Sequence, residues 1–284
     1  MAESRSLGLR SVESRLLGLL VITAYRQGRL TAGLTLNRQS LEIQRETGDR
    51  VSEAISLSNL CEAWLKLGDL TQARRDLDRE LQMLRANGDR AMEGWALGLM
   101  SALALLQGDE TRALALARSA LDIAVAAQAP SIAAITGLKL GDAELALGRF
   151  DAARQACAQV RAQALTIDHS TQHDSSAGLA RVALAKGDEA GALSALQPVF
   201  DHAVADGMLD GTEDARLIEL TCHQALTRAR DPRAAAWLQR SHVALMNQAD
   251  AISDGRTRQG LLRNNPHHRK IVSDWAQRDG SEAQ

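Results

Sequence analysis

Few residues in this chain invite a chemical reading. His169 and His173 lie four apart with Asp168 and Asp174 beside them, and histidines at that spacing meet on one face of a helix, where they can ligate a metal. The stretch from Thr166 to Asp174 is, however, rich in Ser, Thr and Gln and has no apolar period, so it reads as a solvated connection and no metal site is expected. Asp76 and Asp78, two residues apart, project from different sides of a helix, which excludes them as a paired acid and base. Glu144 is the only acid at a usually apolar position of its helix and reads as a hydrogen-bond partner between helices. There is no G-x-x-x-x-G-K-S/T phosphate loop, no G-x-G-x-x-G after a strand, no G-x-S-x-G and no H-E-x-x-H. The chain is therefore read as a non-enzyme that needs no cofactor.

What positions these residues is a repeat. Gly28-Arg29, Gly68-Asp69, Gly108-Asp109, Gly148-Arg149 and Gly187-Asp188 recur at spacings close to 40 residues, and a fixed period of that size is the signature of a solenoid. Between these turns lie amphipathic helices, each closed by a Gly able to adopt the left-handed cap conformation. The clearest unit spans Leu57 to Arg90, with turns at Gly68-Asp69 and Gly88-Asp89. Laid along the chain, it gives helix pairs over about 9–50, 51–90, 91–130, 131–165, 175–205 and 212–253, after a patternless lead-in at 1–8. In the first helix Val12, Leu16, Leu19, Leu20 and Ile22 carry the helical spacing. The sixth pair drifts from the pattern, as a terminal unit with one face in solvent should. Residues 254–276 read as a capping segment and 277–284 as a disordered tail.

Composition agrees with helices throughout. The chain is 45% hydrophobic and only 2% aromatic, with Ala and Leu dominating, residues that form helices well and pack closely. Seven residues before each turn Gly stand Val21, Cys61, Ser101, Gly141 and Ala180, and five after it Gly33, Ala73, Ala113, Ala153 and Ala192. Small residues at both places let paired helices approach, while Leu20, Leu60, Met100, Leu140 and Leu179, eight before the Gly, fill the space between units. Cys61, Cys157 and Cys222 are far apart and sit in helical patterns, as small core residues rather than a disulfide set. A net charge of −2 gives no global attraction for nucleic acid. The most apolar run, Leu16 to Ile22, is much shorter than the roughly 20 residues a membrane span needs, and Glu3 and Glu13 interrupt any signal-peptide pattern. A cytoplasmic protein with no membrane or nucleic-acid partner is expected.

The small residue late in the first helix, the turn Gly and the Ala five residues on resemble the tetratricopeptide repeat, over about residues 9–253. The period exceeds the usual 34 residues and is similar to the long, MalT-like form; of the aromatic signature positions Trp64 and Phe150 remain. The resemblance implies an all-α, right-handed superhelix of about six antiparallel helix pairs that binds a protein or peptide on its inner face. Its inner-face positions fall on Ile55, Ser58, Glu62, Leu65 and Lys66; on Trp95, Gly98, Ala102, Leu105 and Leu106; on Ile135, Leu138, Asp142, Leu145 and Ala146; and on Asp174, Ala177, Arg181, Leu184 and Ala185. Trp95 reads either as an anchor for the bound segment or as inter-helix core.

The tail carries a second resemblance. Ile252, Asp254, Arg258, Leu262, Asn264, Pro266, His268, Arg269, Ile271 and Trp275 fall in register with an ending, I-x-D-x-x-x-R-x-x-F-L-x-N-V-P-x-H-R-x-I-x-x-W, of large bacterial proteins that join a nucleotide cyclase or kinase-like domain, a STAND-type ATPase and a tetratricopeptide arm. Leu261 and Asn265 replace the usual Phe and Val. This implies a regulatory sensing or protein-binding arm that neither hydrolyses ATP nor makes a cyclic nucleotide by itself. The alternative is the ligand- or inhibitor-sensing arm of a MalT-like transcription regulator. Arg256, Arg258, Arg263, Arg269 and Lys270 also make the tail locally basic, which fits either a phosphate-binding patch or, given the apolar residues between them, a cap folded on the last pair.

Overall fold

The computed structural model of the chain describes residues 2–166, 170–205, 209 and 211–282. Among them are fourteen helices, α1 to α14. Six antiparallel pairs come first: α1 (Ala2–Arg26) with α2 (Leu30–Thr47), α3 (Arg50–Leu67) with α4 (Leu70–Asn87), α5 (Arg90–Leu106) with α6 (Glu110–Ala126), α7 (Pro130–Ala146) with α8 (Phe150–Thr166), α9 (Thr171–Ala185) with α10 (Glu189–Ala205), and α11 (Ala215–Arg228) with α12 (Ala234–Asp250). A shorter pair, α13 (Gly255–Arg263) and α14 (Pro266–Glu282), follows. From α3 to α11 each odd-numbered helix touches the next odd-numbered one. These helices form one layer of the solenoid and the even-numbered ones the other.

The turns explain the period. Gly28, Gly48, Gly68, Gly88, Gly108, Gly148 and Gly187 all have φ near +70°, and at the two places where another residue takes the cap, Gln128 and Arg230 adopt φ of 54° and 55°. After the turn, Asp49, Asp69, Asp89 and Asp109 accept the N–H three residues on at 3.0–3.1 Å, satisfying a donor that the helix start leaves open. The small-residue rule is steric as well: a Cβ on Gly141 would come within 2.7 Å of the Cys157 sulfur. All three cysteines are free and buried.

Four features depart from the sequence reading. Helix α1 begins at Ala2 rather than after residue 8, since a helix once nucleated adds further residues at little cost. Its apolar stripe does not face α2. Leu9, Val12, Leu16, Leu19, Leu20 and Ile22 are exposed, whereas Ser14, Val21 and Ala24 are buried, and the α1–α2 seam includes a polar cluster in which Ser14 is hydrogen-bonded to Ser40 and Gln44. At the position of Leu16, later units bury Ser56, Ala96, Thr136 and Ser175 against the preceding pair; α1 has no preceding pair among the described residues. The polar link is shorter than it reads, because Thr171 to Asp174 lie inside α9 and are buried apart from Gln172. Finally, α14 runs to Glu282, so residues 277–282 are helical rather than a disordered tail.

The sixth pair does not end in solvent. One buried cluster contains Leu30, Leu34 and Leu41 of α2, the leucines of α3 to α5, Leu238 and Leu245 of α12, Leu261 of α13 and Ile271 of α14. The last helices therefore close back on the first units, and the drift of the sixth pair reflects this second set of neighbours. No helix among the described residues is long and apolar enough to cross a membrane.

Candidate functional site

The closure leaves a half-open cavity of about 460 Å3. One wall is the odd-numbered layer, with Glu62, Leu65 and Lys66 from α3, Leu99, Ala102, Leu105 and Leu106 from α5, Leu138, Lys139, Asp142, Leu145 and Ala146 from α7, and Asp174, Ala177 and Arg181 from α9. The other is made by Glu213, Asp214, Leu217 and Ile218 at the start of α11 and by Asn265, Pro266 and His267 at the start of α14. Volume and mixed lining suit a ligand group held by apolar walls and a few fixed charges.

The returning tail is pinned at identifiable atoms. Asn264 Nδ2 donates to the Gly68 carbonyl at 2.9 Å, across 196 residues of chain, and the α13 backbone lies so close to the α3–α4 turn that a Cβ on Gly260 would meet the Leu67 carbonyl at 2.9 Å. His267 Nε2 pairs with Asp214 Oδ2 at 2.9 Å. Burial alone would raise the Asp214 pKa, but His267 beside it holds the carboxyl well below the usual range. His268 is buried, its Nδ1 lies 2.8 Å from the Leu261 carbonyl, and burial together with the neighbouring His267 lowers it to about 4.

Charges in the cavity are mostly paired. Lys66 Nζ lies 2.6 Å from Glu62, Arg181 Nη2 lies 2.7 Å from Asp142 and Lys139 Nζ lies 3.6 Å from Glu213. Burial would lower the Lys139 ammonium, yet Glu213, Asp142 and Asp174 outweigh it and raise the pKa. Asp174 is only 8% exposed and accepts main-chain N–H groups of Glu213 at 3.2 Å and Asp214 at 3.3 Å; burial and the Glu213 carboxylate push it up to about 7.

Of the residues assigned from sequence to the inner surface, Glu62, Leu65, Lys66, Leu105, Leu138, Asp142 and Arg181 line the cavity. Four do not. Ile55 is exposed on the outside, and Ser58 is buried where it donates to Glu80. Trp95 is half-buried against the core cluster with no acceptor for its Nε1, and Ile135 is half-buried outside the cavity lining. In the tail motif, only Pro266 lines the cavity. Asn264 and His268 make the contacts just given, Leu262 packs on the core cluster, Arg269 donates to the Arg263 carbonyl at 2.8 Å, Arg258 pairs with Asp250 at 2.5 Å, and Trp275 stacks on His242 at 4.5 Å. The motif knits the closing pair together. His169 and Asp168 lie outside the described residues; His173 is buried against the His202 ring at 4.5 Å, and no group of three metal-ligating side chains occurs among the described residues.

Sequence reasoning missed Lys139 in the repeat layer and Glu213, Asp214 and His267 on the facing wall, and it missed a set of buried clamps. Glu53 is fully buried between Arg45, Arg50 and Arg79 at 2.7–3.0 Å, and Glu93, 40 residues on, repeats this with Arg85 and Arg90. The shared string R-x-x-G-D-R-x-x-E was the available signal. Glu144 is the inter-helix partner expected of it, 2.7 Å from Arg118.

No protein-family model matches the sequence, and no curated protein matches it closely enough to count as a relative. Solved structures do resemble it. A Rap protein complexed with competence and sporulation factor superposes over 93% of this chain and 76% of its own, at 13% identity and a TM-score of 0.67. Aspartyl phosphate phosphatase F from Bacillus subtilis matches over 95% and 72%, at 9% identity and a TM-score of 0.64. The fold is that of a tetratricopeptide-type solenoid. A STAND signal-transduction ATPase with a tetratricopeptide-repeat sensor from Pyrococcus horikoshii also matches, at 15% identity and a TM-score of 0.51, over 82% of this chain and 36% of that much longer one. In this solenoid, then, the cavity is bounded by α3 to α9 on one side and by the starts of α11 and α14 on the other.

Proposed function

We propose that the chain is a non-enzymatic sensing or protein-binding module, and that a segment of a protein or peptide partner occupies the chamber between the repeat layer and α13–α14. The observation that carries this reading is the half-open cavity of about 460 Å3, with apolar walls and fixed charges of both signs. A similarly folded Rap protein holds competence and sporulation factor, and a similarly folded sensor belongs to a STAND ATPase; both support a receiving role in signal transduction. A net charge of −2 gives no global attraction for nucleic acid or anionic lipid, so a protein or peptide met in the cytoplasm is the partner we infer.

The test is to fill the chamber. Ala102 is half-buried and faces the cavity, so Ala102→Trp should occupy the space without removing a core side chain. Partner recovery by crosslinking in the native cell should fall at least about tenfold, the equivalent of one anchor contact, with the far-UV helix signal unchanged. Undiminished recovery by a folded Ala102→Trp variant would overturn the reading.

A further inference from the structure

We infer that the chamber's ligand presents a cation, an ammonium or guanidinium on an apolar stem, to Asp174. The inference rests on the chamber being the binding site and specifies what enters it. Its basis is the distribution of charge in the wall. Each Lys and Arg there is already engaged, Lys66 by Glu62, Arg181 by Asp142 and Lys139 by Glu213, and His267 lies against Asp214. Two lining carboxylates are left over, Glu110, which is half-buried, and Asp174, which is buried. Asp174 has two main-chain N–H donors and, among the described residues, no cation within ion-pair distance.

That asymmetry decides between ligands. An anionic group entering the chamber would have to break an existing pair to find a countercharge, whereas a cationic group finds one waiting. A carboxylate this buried is costly to leave without a countercharge, and a ligand cation would supply it. Burial strengthens the resulting contact, since a charge-assisted hydrogen bond shielded from water exceeds a neutral one. Leu65, Leu106, Leu138 and Leu217 line the same cavity and suit the methylene stem of a lysine or arginine side chain, which keeps its apolar part on hydrocarbon while its head seeks charge.

Four end-blocked peptides test this on the full chain: Ala-Leu-X-Leu-Ala with X as lysine, arginine, norleucine or glutamate, their affinities measured by isothermal titration. Norleucine keeps the stem and removes the charge. The lysine and arginine peptides should bind at least about tenfold tighter than the norleucine peptide, the size expected of a hydrogen bond to a charged group, and the glutamate peptide weakest. Asp174→Asn should erase the difference while leaving norleucine affinity unchanged; if that variant does not fold, the comparison on the native chain stands alone. Equal affinities, a preference for glutamate, or a lysine preference that survives in Asp174→Asn would overturn the inference. So would calcium chloride displacing the lysine peptide, since the site would then be one for a bare ion. If no peptide binds yet Ala102→Trp abolishes partner recovery, the cation inference fails and the chamber reading stands; if Ala102→Trp leaves recovery intact, the chamber reading itself fails.

Discussion

Units two and three and the closing region hold together by different means. In the former, the same contacts recur at 40-residue intervals: Asp49 and Asp89 cap α3 and α5 in the same way, and Glu53 and Glu93 clamp the same turn with arginines at equivalent positions. In the closing region each contact is made once, between residues far apart in sequence, as with Asn264 on Gly68 and Gly260 against Leu67. A repeat array gains stability from every neighbouring interface, but a closure depends on one seam. The repeats thus form a scaffold of recurring contacts, to which the tail is joined by contacts made once.

The largest expected effect contrasts two buried leucines. Leu103 lies in α5 and Leu261 in α13, both essentially fully buried. Leu103→Ala should lower the unfolding free energy by about 2–5 kcal/mol, the usual range for a leucine deleted from a core, as a shift of the whole urea transition. Leu261→Ala removes the same atoms, but its effect should appear as faster hydrogen exchange confined to α13 and α14. Equal global shifts in both variants would mean that the closing pair unfolds with the array and is not a separate gate.

Next in size is Gly260→Val, which forces side-chain atoms against the Leu67 carbonyl and should cost the seam about 1–3 kcal/mol, as overpacking does. Of four lysines, Lys66 and Lys139 line the chamber while Lys186 and Lys270 lie outside it. An amine-modifying reagent should label Lys66 and Lys139 several-fold faster in Gly260→Val than in the native chain, with Lys186 unchanged. Uniform labelling rates would show that the tail does not limit access.

A third effect belongs to the array and depends on pH. Burial pushes Glu80 up to about 7 despite the hydrogen bond donated by Ser58. Between the ordinary glutamate pKa and that value the folded chain keeps a proton that the unfolded chain has lost, so stability declines as pH rises through this window. Glu80→Gln should flatten the decline in the urea midpoint between about pH 5 and pH 8. An unaltered slope would assign it to another group.

What could be read from sequence divides along the same line. The 40-residue spacing falls on the turns at Gly28, Gly68, Gly108, Gly148 and Gly187, because a Gly in the left-handed conformation acts within a few residues of itself. Seven of the eleven inner-surface residues line the chamber for the same reason: once the register is known, a position in one unit implies its equivalents. The failures are where context replaces period. Leu16 and Leu20 satisfy a helical pattern yet face outward because α1 stacks on one side only. Ser58 and Trp95 share the inner register but are taken up by packing between neighbouring helices. His267 and Asp214 carry no local signal that they will meet, since that contact exists only after the solenoid has closed.

The central claim, that the chamber behind the tail receives the partner, is tested most directly by lysine footprinting. The whole chain, held in native-cell lysate or in buffer, would be treated with an amine-modifying reagent and read by mass spectrometry at its four lysines. The structure predicts several-fold protection of Lys66 and Lys139 in lysate, with Lys186 and Lys270 labelled as in buffer. Protection confined to Lys186 or Lys270, with the chamber pair as reactive as before, would contradict it.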